Sequence, residues 1–253
     1  MQTLFHNATL LGPLKGHALF LDIDGTLIEL APTPEAVELP PTLIPLLQRL
    51  AHQLEGAIAF VSGRTIDAID RLFAPLKIPA VGVHGAEIRG PDRHVAADRA
   101  LKDQIQAAEP ALREAVAGMR GVVLENKHSA LALHYRSVPE RGREVLKIAE
   151  LLVGNMGSQF AVLMGKCVVE IRPRHLTKGT AIDSLMQQPP FHGCTPIFAG
   201  DDCTDEDAFE VVNRLGGVSV HVGAATPTRA RHRLTSPDEL RGWLQQLSDA
   251  QDE

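Results

Sequence analysis

The chain has 253 residues and a formal net charge of −6 at pH 7, and hydrophobic residues make up 44% of it. This composition suits a protein with a sizeable core and argues against nucleic-acid binding, which usually needs clustered Lys and Arg. No apolar run approaches the roughly 20 residues of a membrane span, and three cysteines without metal-type spacing favour a reducing cytoplasm over a disulfide framework.

The first third of the chain alternates predicted strands and helices. Short apolar runs predict buried strands, and apolar residues at helical spacing predict the helices between them. The predicted strands cover residues 17–23, 57–61 and 80–83, and the predicted helices cover residues 41–53 and 65–73. This alternation favours a parallel sheet that is covered by helices on both faces.

The middle of the chain has a different order of elements. A helix followed by two strands occurs twice, and the short connections within each strand pair imply antiparallel hairpins. We expect a four-stranded sheet with two helices on one face. The predicted helices cover residues 98–118 and 139–153, and the predicted strands cover 121–127, 129–136, 159–165 and 167–173.

The last third returns to alternating helices and strands, so the fold class is predicted to be α/β. We expect a Rossmann-like core with a parallel sheet, formed by residues 1–90 and 173–253. An α+β cap with the element order αββαββ, residues 91–172, is inserted into this core. The hinges between the two domains are expected near Gly90–Pro91 and Arg172–Pro173.

Two aspartates follow the first predicted strand, in the stretch LFLDIDGTLIEL. Asp22 and Asp24 are two residues apart, so both can project over the carboxyl edge of the sheet, where open parallel sheets bind ligands. A divalent cation such as Mg²⁺ would relieve their repulsion, and one acid could act as nucleophile while the other acts as acid and base. The alternative is a calcium-binding surface turn, but the stretch lacks the third acid and the final Glu of an EF-hand loop.

Two further stretches open predicted helices and favour anion binding. In FVSGRT, Ser62 can cap the following helix, where free amide groups attract an anion. The alternative for Ser62 is a helix cap without a ligand. In LTKGTAI, Lys178 stands at a helix start, where a cation is unfavourable unless an anion lies nearby.

The stretch FAGDDCTDEDAF contains four acids just after a predicted strand. Thr204 and Asp207 have the spacing of a capping box. Asp201 and Asp202 precede the helix and are not needed for capping. Acids just beyond a buried strand predict a metal site, and the alternative is a purely structural role.

These motifs, in this order, resemble those of the haloacid dehalogenase-like phosphohydrolases. The resemblance implies that Asp22 attacks phosphorus to give an aspartyl-phosphate. It also implies that Asp24 protonates the leaving oxygen and then activates water. The further implied contacts are Mg²⁺ with Asp22, Asp201 and the backbone carbonyl of Asp24; phosphoryl oxygens with Ser62, Gly63 and Lys178; and support of the metal site by Asp202 or Asp205.

The predicted cap sheet carries donors and acceptors together on one face. Alternation along its strands pairs Glu125 with Lys127, His134 with Arg136, and Lys166 with Glu170. Mixed charges of this kind suit a neutral ligand with many hydroxyl groups. The alternative is a solvated face of a half-exposed sheet.

Three cap and core segments, GVHGAEIR, ENKHSALALHYR and GKCVVEIRP, make the chain similar to the trehalose-6-phosphate phosphatase family. The resemblance implies an Mg²⁺-dependent hydrolase that acts as a cytoplasmic monomer on a small sugar phosphate, with no nucleic-acid or membrane partner. The implied substrate contacts are Glu125, Lys127, Lys166 and Glu170 at the distal glucose, and Arg64 and His84 near the sugar phosphate.

Other functions remain open at this stage. The core motifs also suit a phosphatase for sucrose 6-phosphate or a mannosyl phosphate, and a phosphomutase in which Asp24 returns the phosphoryl group to a sugar. A non-catalytic sugar-phosphate sensor is a further alternative. The acids at 22, 24 and 201 argue against a sensor, because binding alone needs no nucleophile.

Overall fold

The computed structural model describes residues 2–3, 14–31, 37–90, 94–96, 99–224 and 227–250. This part of the chain forms two β-sheets, one of nine strands and one of four. No helix among these residues combines the length and the apolar character that a membrane span requires.

The strands are short, as expected for a sheet of this class. In chain order they are β1 (Gln2–Thr3), β2 (His17–Leu21), β3 (Ile58–Val61), β4 (Ala80–Gly82), β5 (Glu87–Arg89), β6 (His94–Ala96), β7 (Val123–Asn126), β8 (Leu131–His134), β9 (Phe160–Gly165), β10 (Val168–Pro173), β11 (Thr195–Gly200), β12 (Val218–Val222) and β13 (His232–Leu234). The helices are α1 (Leu43–Gln53), α2 (Ile66–Leu72), α3 (Arg99–Val116), α4 (Gly142–Met156), α5 (Lys178–Leu185), α6 (Glu206–Arg214) and α7 (Pro237–Asp249).

The larger sheet has the order β1-β13-β12-β11-β2-β3-β4-β5-β6. The first seven strands in this order, β1 to β4, are parallel to one another. The last two pairs, β4 with β5 and β5 with β6, are antiparallel. The central strands β2 and β11 pair with each other and are buried after their first residues, His17 and Thr195, and Phe20 and Phe198 are completely buried. This burial on both faces is typical of a parallel sheet, and it confirms the predicted α/β class.

The smaller sheet has the order β7-β8-β10-β9, and all of its pairs are antiparallel. Helices α3 and α4 pack against it and against each other, and the sheet contributes Leu131, Leu133, Val169 and Ile171 to a separate core. We call α3, α4 and this sheet the small unit, and the rest of the described chain the large unit. Alternate residues of the small sheet therefore face its helices, as the sequence predicts.

The structure also differs from the sequence prediction at the margins of the large sheet. Strands β1, β5, β6 and β13 were not predicted, because two or three residues are too few for a period-two pattern. The sheet continues to Ala96, past the predicted limit of the core at residue 90, while the domain limits themselves stay a prediction. Of the predicted hinge at Gly90–Pro91, Pro91 lies outside the described residues.

Candidate active site

The turn after β2 gives Asp22 and Asp24 two different environments. Asp22 is 4% exposed, and its amide donates to the carbonyl of Ala199 on β11. The hydroxyl of Thr26 donates to Oδ2 of Asp22 at 2.9 Å. Asp24 is more exposed and lies at the cavity wall. Both aspartates therefore lie at the carboxyl edge of the sheet, where the sequence predicts them.

Lys178 begins α5 and supplies a buried positive charge. Its Nζ donates to Oδ1 of Asp22 at 2.8 Å and to Oδ1 of Asp205 at 2.6 Å. Burial alone would lower the pKa of Lys178, but Asp205 and Asp22 raise it well above its ordinary value. The ammonium group is therefore held charged beside Asp22, and two carboxylates provide the negative charge expected near this helix start.

Three carboxylates form a cluster in which they outnumber the two ammonium groups that contact them, those of Lys178 and Lys166. One oxygen each from Asp22, Asp201 and Asp205 lie within 4.8 Å of one another. Burial raises the pKa of Asp22 well above its ordinary value, and repulsion from Asp205 and Asp201 adds to this, although Lys178 opposes it. Burial likewise raises the pKa of Asp201. Such a cluster favours an additional cation.

Asp205 differs from the other two members because it is completely buried and does not line the cavity. Oδ1 accepts from Lys178, and Oδ2 accepts from the amides of Asp201 and Asp202 at 2.9 and 3.0 Å. Asp22 and Asp201 line the cavity and are the carboxylates that a metal ion could reach, while Asp205 orients the loop that carries Asp201. Gly25 leaves room beside Asp201, since a Cβ at residue 25 would lie 2.2 Å from its Oδ2.

Arg64 holds the carboxylate of Asp24. Its Nε donates to Oδ2 at 2.7 Å and its Nη2 donates to Oδ1 at 2.6 Å, a two-point contact between guanidinium and carboxylate. The side chain of Asp24 is therefore outside the carboxylate cluster. The position of Arg64 near the sugar phosphate stays a prediction, and Arg64 lines the same cavity as Asp22 and Asp24.

The predicted capping role of Ser62 is wrong. Helix α2 begins at Ile66, so its N-cap is Thr65, whose side chain accepts from the amide of Ala68. Ser62 is 2% exposed, and its hydroxyl accepts from the amide of Arg64 at 3.2 Å. The Ser62–Gly63–Arg64 turn is a separate loop that lines the cavity.

The predicted capping box of Thr204 and Asp207 is also wrong. A single 3₁₀ turn precedes α6 and moves the cap to Asp202, which accepts from the amide of Cys203 and pairs with Asp205 in the capping box. Asp207 instead accepts from the amide of Gly179 at 3.1 Å. Asp202 therefore has a capping role that the sequence analysis had excluded.

A cavity of about 1020 Å³ lies between the large and small units. All predicted site residues except Asp205 line it, and Asp205 lies directly behind Lys178. The predicted residues in the lining are Asp22, Asp24, Ser62, Gly63, Arg64, His84, Glu125, Lys127, Lys166, Glu170, Lys178, Asp201 and Asp202.

The small unit contributes two kinds of charged group to this cavity. Glu125 and His134 are partly exposed and lie 2.7 Å apart. Lys127 and Glu170 are buried and pair with each other, and Lys127 also donates to the carbonyl of Gly63 at 3.1 Å. Burial disfavours the charged carboxylate of Glu170, yet its pKa lies well below the ordinary value because of Lys127 and His84.

Lys166 crosses from the small unit to the carboxylate cluster. Its Nζ donates to Oδ2 of Asp201 at 2.5 Å, and its side chain is about half exposed. The resemblance implies a contact between Lys166 and the distal glucose, and this contact stays a prediction. In this structure the ammonium group of Lys166 contacts one of the acids of the carboxylate cluster.

Sequence reasoning missed several apolar and basic residues of the cavity wall. Ala68, Arg71 and Leu72 line it from α2, and Val123 lines it from the edge strand β7. The spacing of the first three, i, i+3 and i+4, places them on one helix face. That spacing was the available signal, but it does not separate a cavity wall from an ordinary helix surface.

Comparison with known proteins identifies one family. The family model described as trehalose-phosphatase matches residues 20–238. The chain is 44% identical over 238 residues to a probable trehalose-phosphate phosphatase of Sinorhizobium fredii, which covers 93% of this chain and 89% of that protein. It is 41% identical over 237 residues to a trehalose-6-phosphate phosphatase of Escherichia coli, which covers 92% of this chain and 87% of that protein.

Solved structures share the same fold. The C-terminal domain of a trehalose-6-phosphate phosphatase from Candida albicans superimposes with a TM-score of 0.78 at 23% identity, covering 92% of each chain. A protein described as related to trehalose-6-phosphate phosphatase gives a TM-score of 0.72 at 26% identity, covering 93% of this chain and all of that one. The first of these, at its low identity, supports the fold alone.

Proposed function

Because this chain belongs to the trehalose-phosphatase family, we propose that it hydrolyses trehalose 6-phosphate to trehalose and phosphate. The observation that carries the proposal is one cavity with two chemically different ends. Asp22, Asp24 and Lys178 line it from the large unit, while Glu125 and Glu170 line it from the small unit. The first end suits a phosphoryl group, and the second can exchange hydrogen bonds with sugar hydroxyls.

Asp22 is the proposed nucleophile. A carboxylate oxygen of Asp22 attacks phosphorus, and the bond between phosphorus and the sugar oxygen breaks. Lys178 lies beside Asp22 and can neutralise charge on the phosphoryl oxygens. Ser62 and Gly63, which line the same end of the cavity, are the proposed further contacts to these oxygens.

Asp24 is the proposed acid and base. It gives its proton to the leaving sugar oxygen, and it then takes a proton from the water that attacks the aspartyl-phosphate and releases Asp22. Arg64 holds both oxygens of Asp24. At least one of these contacts must break before Asp24 can transfer a proton, and the negative charge of an incoming phosphoryl group can draw Arg64 away.

The carboxylate cluster fits a divalent cation. Burial and repulsion between the carboxylates raise the pKa values of Asp22 and Asp201, so a bound cation would stabilise their charged forms, and hard oxygen ligands suit Mg²⁺. Asp22, Asp201 and the backbone carbonyl of Asp24 are the proposed ligands, and Asp202 and Asp205 support the loop that carries Asp201. A bound Mg²⁺ would stabilise the charge that develops on the phosphoryl oxygens.

We propose that the small unit acts as a cap that recognises the distal sugar. Trehalose presents many hydroxyl groups, each of which can donate and accept, so acceptors such as Glu125 and Glu170 and donors such as Lys127 and Lys166 suit it together. All four side chains line the cavity. Closure of the cap would keep bulk water from the phosphoryl group during its transfer.

The proposed setting is a monomer in the cytoplasm whose partner is a freely diffusing sugar phosphate. The net charge of −6 supports the expectation that nucleic acid is not a partner. The three cysteines are free thiols, as suits a reducing compartment. Sedimentation of the purified protein would test the expected oligomeric state.

The test is a phosphate-release assay over trehalose 6-phosphate, sucrose 6-phosphate, glucose 6-phosphate and mannose 6-phosphate, with Mg²⁺ and with EDTA. We expect trehalose 6-phosphate to give the largest kcat/KM, and EDTA to remove activity that Mg²⁺ restores. A larger kcat/KM for another sugar phosphate would contradict the proposed substrate. Formation of an isomeric sugar phosphate without phosphate release would instead indicate a phosphomutase.

A further inference from the structure

Residues 83–85 have an unusual backbone conformation, and His84 among them lines the cavity. Val83, His84 and Gly85 have positive φ angles of 47°, 53° and 113°. A positive φ is strained for a β-branched residue such as Val83, so the surrounding contacts must hold this turn in place. Such strain is common where a side chain must be aimed at a ligand or at a partner group.

The contacts that hold the turn come from the phosphate end of the cavity. The amide of Val83 donates to the carbonyl of Arg64 at 2.9 Å, and the amide of His84 donates to the carbonyl of Ser62 at 3.0 Å. Gly85 packs so closely on Thr177 that a Cβ would lie 2.3 Å from its carbonyl oxygen. The backbone of His84 is therefore fixed to the Ser62–Arg64 loop and to the residue that caps α5.

The side chain of His84 points to the small unit. Its Nε2 lies 3.0 Å from Oε2 of Glu170, and its Nδ1 is buried without a hydrogen-bond partner among the described residues. A buried N–H at Nδ1 would be unsatisfied, so the proton of the neutral ring belongs on Nε2, facing Glu170. Burial lowers the pKa of His84 and so favours this neutral ring.

The two carboxylate oxygens of Glu170 are thus approached by two different groups, Lys127 at Oε1 and His84 at Oε2. Both of these groups also contact Gly63. Lys127 donates to its carbonyl, and a Cβ at Gly63 would lie 2.5 Å from Nε2 of His84. Lys127 therefore ties Oε1 of Glu170 to the loop that lines the phosphate end, and His84 lies between this loop and Oε2 at 3.0 Å without hydrogen-bond geometry.

We propose that His84 is a positioning residue that holds Glu170 at a fixed distance from the Ser62–Arg64 loop. The site then selects a substrate whose sugar reaches Glu170 while its phosphoryl group lies at this loop. The inference rests on the proposed function, because it concerns how the sugar end of that substrate is recognised. It differs from the expectation that His84 contacts the sugar phosphate. The ring nitrogen that could donate to a phosphate faces Glu170 instead.

The test uses His84→Asn and His84→Gly, with His84→Gln as the conservative variant. Asn and Gly both tolerate the left-handed backbone, and neither reaches Glu170. If one of the two variants fails to fold, the other still tests the proposal. Gln can place an N–H donor near the position of Nε2. The substrates are trehalose 6-phosphate and p-nitrophenyl phosphate, a small ester without a sugar.

We expect His84→Asn and His84→Gly to raise KM for trehalose 6-phosphate about tenfold or more, and KM for the small ester less than about threefold. His84→Gln should recover most of the loss. Glu170→Ala should show the same preference, and adding His84→Asn to it should raise KM no further, because Glu170→Ala already removes the partner of His84.

The matched control is His128→Asn. His128 also has a positive φ, 63°, but it is exposed and does not line the cavity. We expect both KM values of this variant to stay within about twofold of the wild type, as is usual for a surface substitution.

Equal increases of KM for both substrates in the His84 variants, or an unchanged KM for trehalose 6-phosphate, would overturn the positioning role. Additive effects of the His84 and Glu170 substitutions would do the same. Wild-type protein that releases no phosphate from trehalose 6-phosphate would contradict the proposed function instead, so the two failures are distinguishable.

Discussion

Asp22 is a buried carboxylate with two acidic neighbours and one cationic partner. Its raised pKa means that the folded protein disfavours its negative charge. The same charge is what a nucleophile needs. The negative charge of Asp22 is therefore unfavourable in the free protein. A cation bound at the cluster would stabilise this charge, and so would bond formation between the carboxylate and phosphorus.

Asp22→Asn should separate activity from stability. We expect phosphate release to fall about 10³-fold or more, because the amide cannot attack phosphorus. The thermal midpoint measured without metal should stay the same or rise, since the substitution removes repulsion with Asp201 and Asp205. Residual hydrolysis within about tenfold of the wild type would indicate a different nucleophile.

Glu170 predicts a pH dependence of stability. Its pKa in the folded protein lies well below the ordinary value of 4.5, so between these two values the unfolded chain binds a proton that the folded chain does not. The stabilisation is fully present above pH 4.5 and is lost as pH falls below that value. Urea unfolding between pH 6 and about pH 3.5 should therefore give a smaller loss of stability for Glu170→Gln than for the wild type.

The matched control for this measurement is Glu140→Gln, since Glu140 is exposed and does not line the cavity. Its stability should fall with pH as that of the wild type does. Parallel curves for Glu170→Gln and the wild type would contradict the role assigned to the Glu170 charge.

Among the structural elements, the turn after β2 depends on a glycine both for its backbone conformation and for its close approach to the carboxylate cluster. Gly25 has a φ of 86°, and a Cβ there would lie 2.2 Å from Oδ2 of Asp201. Gly16 has nearly the same φ, 84°, but a Cβ there meets nothing within 4 Å. Substituting each glycine by alanine therefore separates the destabilisation caused by the backbone conformation from that caused by the clash with Asp201.

Gly25→Ala and Gly16→Ala should both lose about 1–2 kcal/mol of stability from the left-handed conformation, but only Gly25→Ala should lose metal binding. Mg²⁺ should raise the thermal midpoint of the wild type and of Gly16→Ala, because a ligand that binds only the folded state stabilises it. It should leave Gly25→Ala unchanged. A normal Mg²⁺ shift in Gly25→Ala would show that this turn does not shape a metal site.

The elements that were predicted from sequence are those with strong local patterns. The strands β2 and β11 contain the apolar runs Ala18–Leu21 and Pro196–Gly200, and α3 and α4 repeat apolar residues at helical spacing. Their order was enough to predict the α/β class and the two antiparallel hairpins. The caps of α2 and α6 were placed wrongly, because Ser62 and Thr65, or Asp202 and Thr204, are equivalent candidates until the first helical residue is known.

The site was predicted as a set of residues but not as a set of contacts. Asp22 and Asp201 follow the parallel strands β2 and β11, so the sheet brings both to its carboxyl edge, whereas Lys178 begins α5 and follows no strand of that sheet. The pairs Arg64–Asp24 and Lys166–Asp201 join residues far apart in sequence. Such pairs depend on side-chain conformations and on how the two units meet, for which no local pattern exists.

At the scale of the whole molecule, the two units meet through polar contacts around the cavity. Lys166 contacts Asp201, Lys127 contacts Gly63 and His84 contacts Glu170 across this boundary. The same side chains are the ones proposed to bind substrate or to lie beside the metal-type cluster. The side chains that connect the small unit to the large unit are therefore also the ones proposed to contact the ligand.

This arrangement predicts that the sugar end and the phosphate end can be separated by substitution. Glu125→Ala should lower kcat/KM for trehalose 6-phosphate about tenfold, and for p-nitrophenyl phosphate much less, because Glu125 lies on the small unit. Glu140→Ala, on an exposed turn of the same unit, should affect neither. Equal losses on both substrates for Glu125→Ala would refute a sugar-recognising cap.

The proposed mechanism requires that a phosphoryl group passes to Asp22 and that Asp24 is needed to release it. To trap this intermediate, Asp24→Asn is incubated with Mg²⁺ and p-nitrophenyl phosphate, whose leaving group needs no proton from Asp24, then quenched with acid and digested for mass spectrometry. We expect the peptide containing Asp22 to gain the mass of one phosphoryl group, and the same peptide from Asp22→Asn combined with Asp24→Asn to gain none. An unmodified Asp22 peptide, or a phosphoryl group on another residue, would contradict this mechanism.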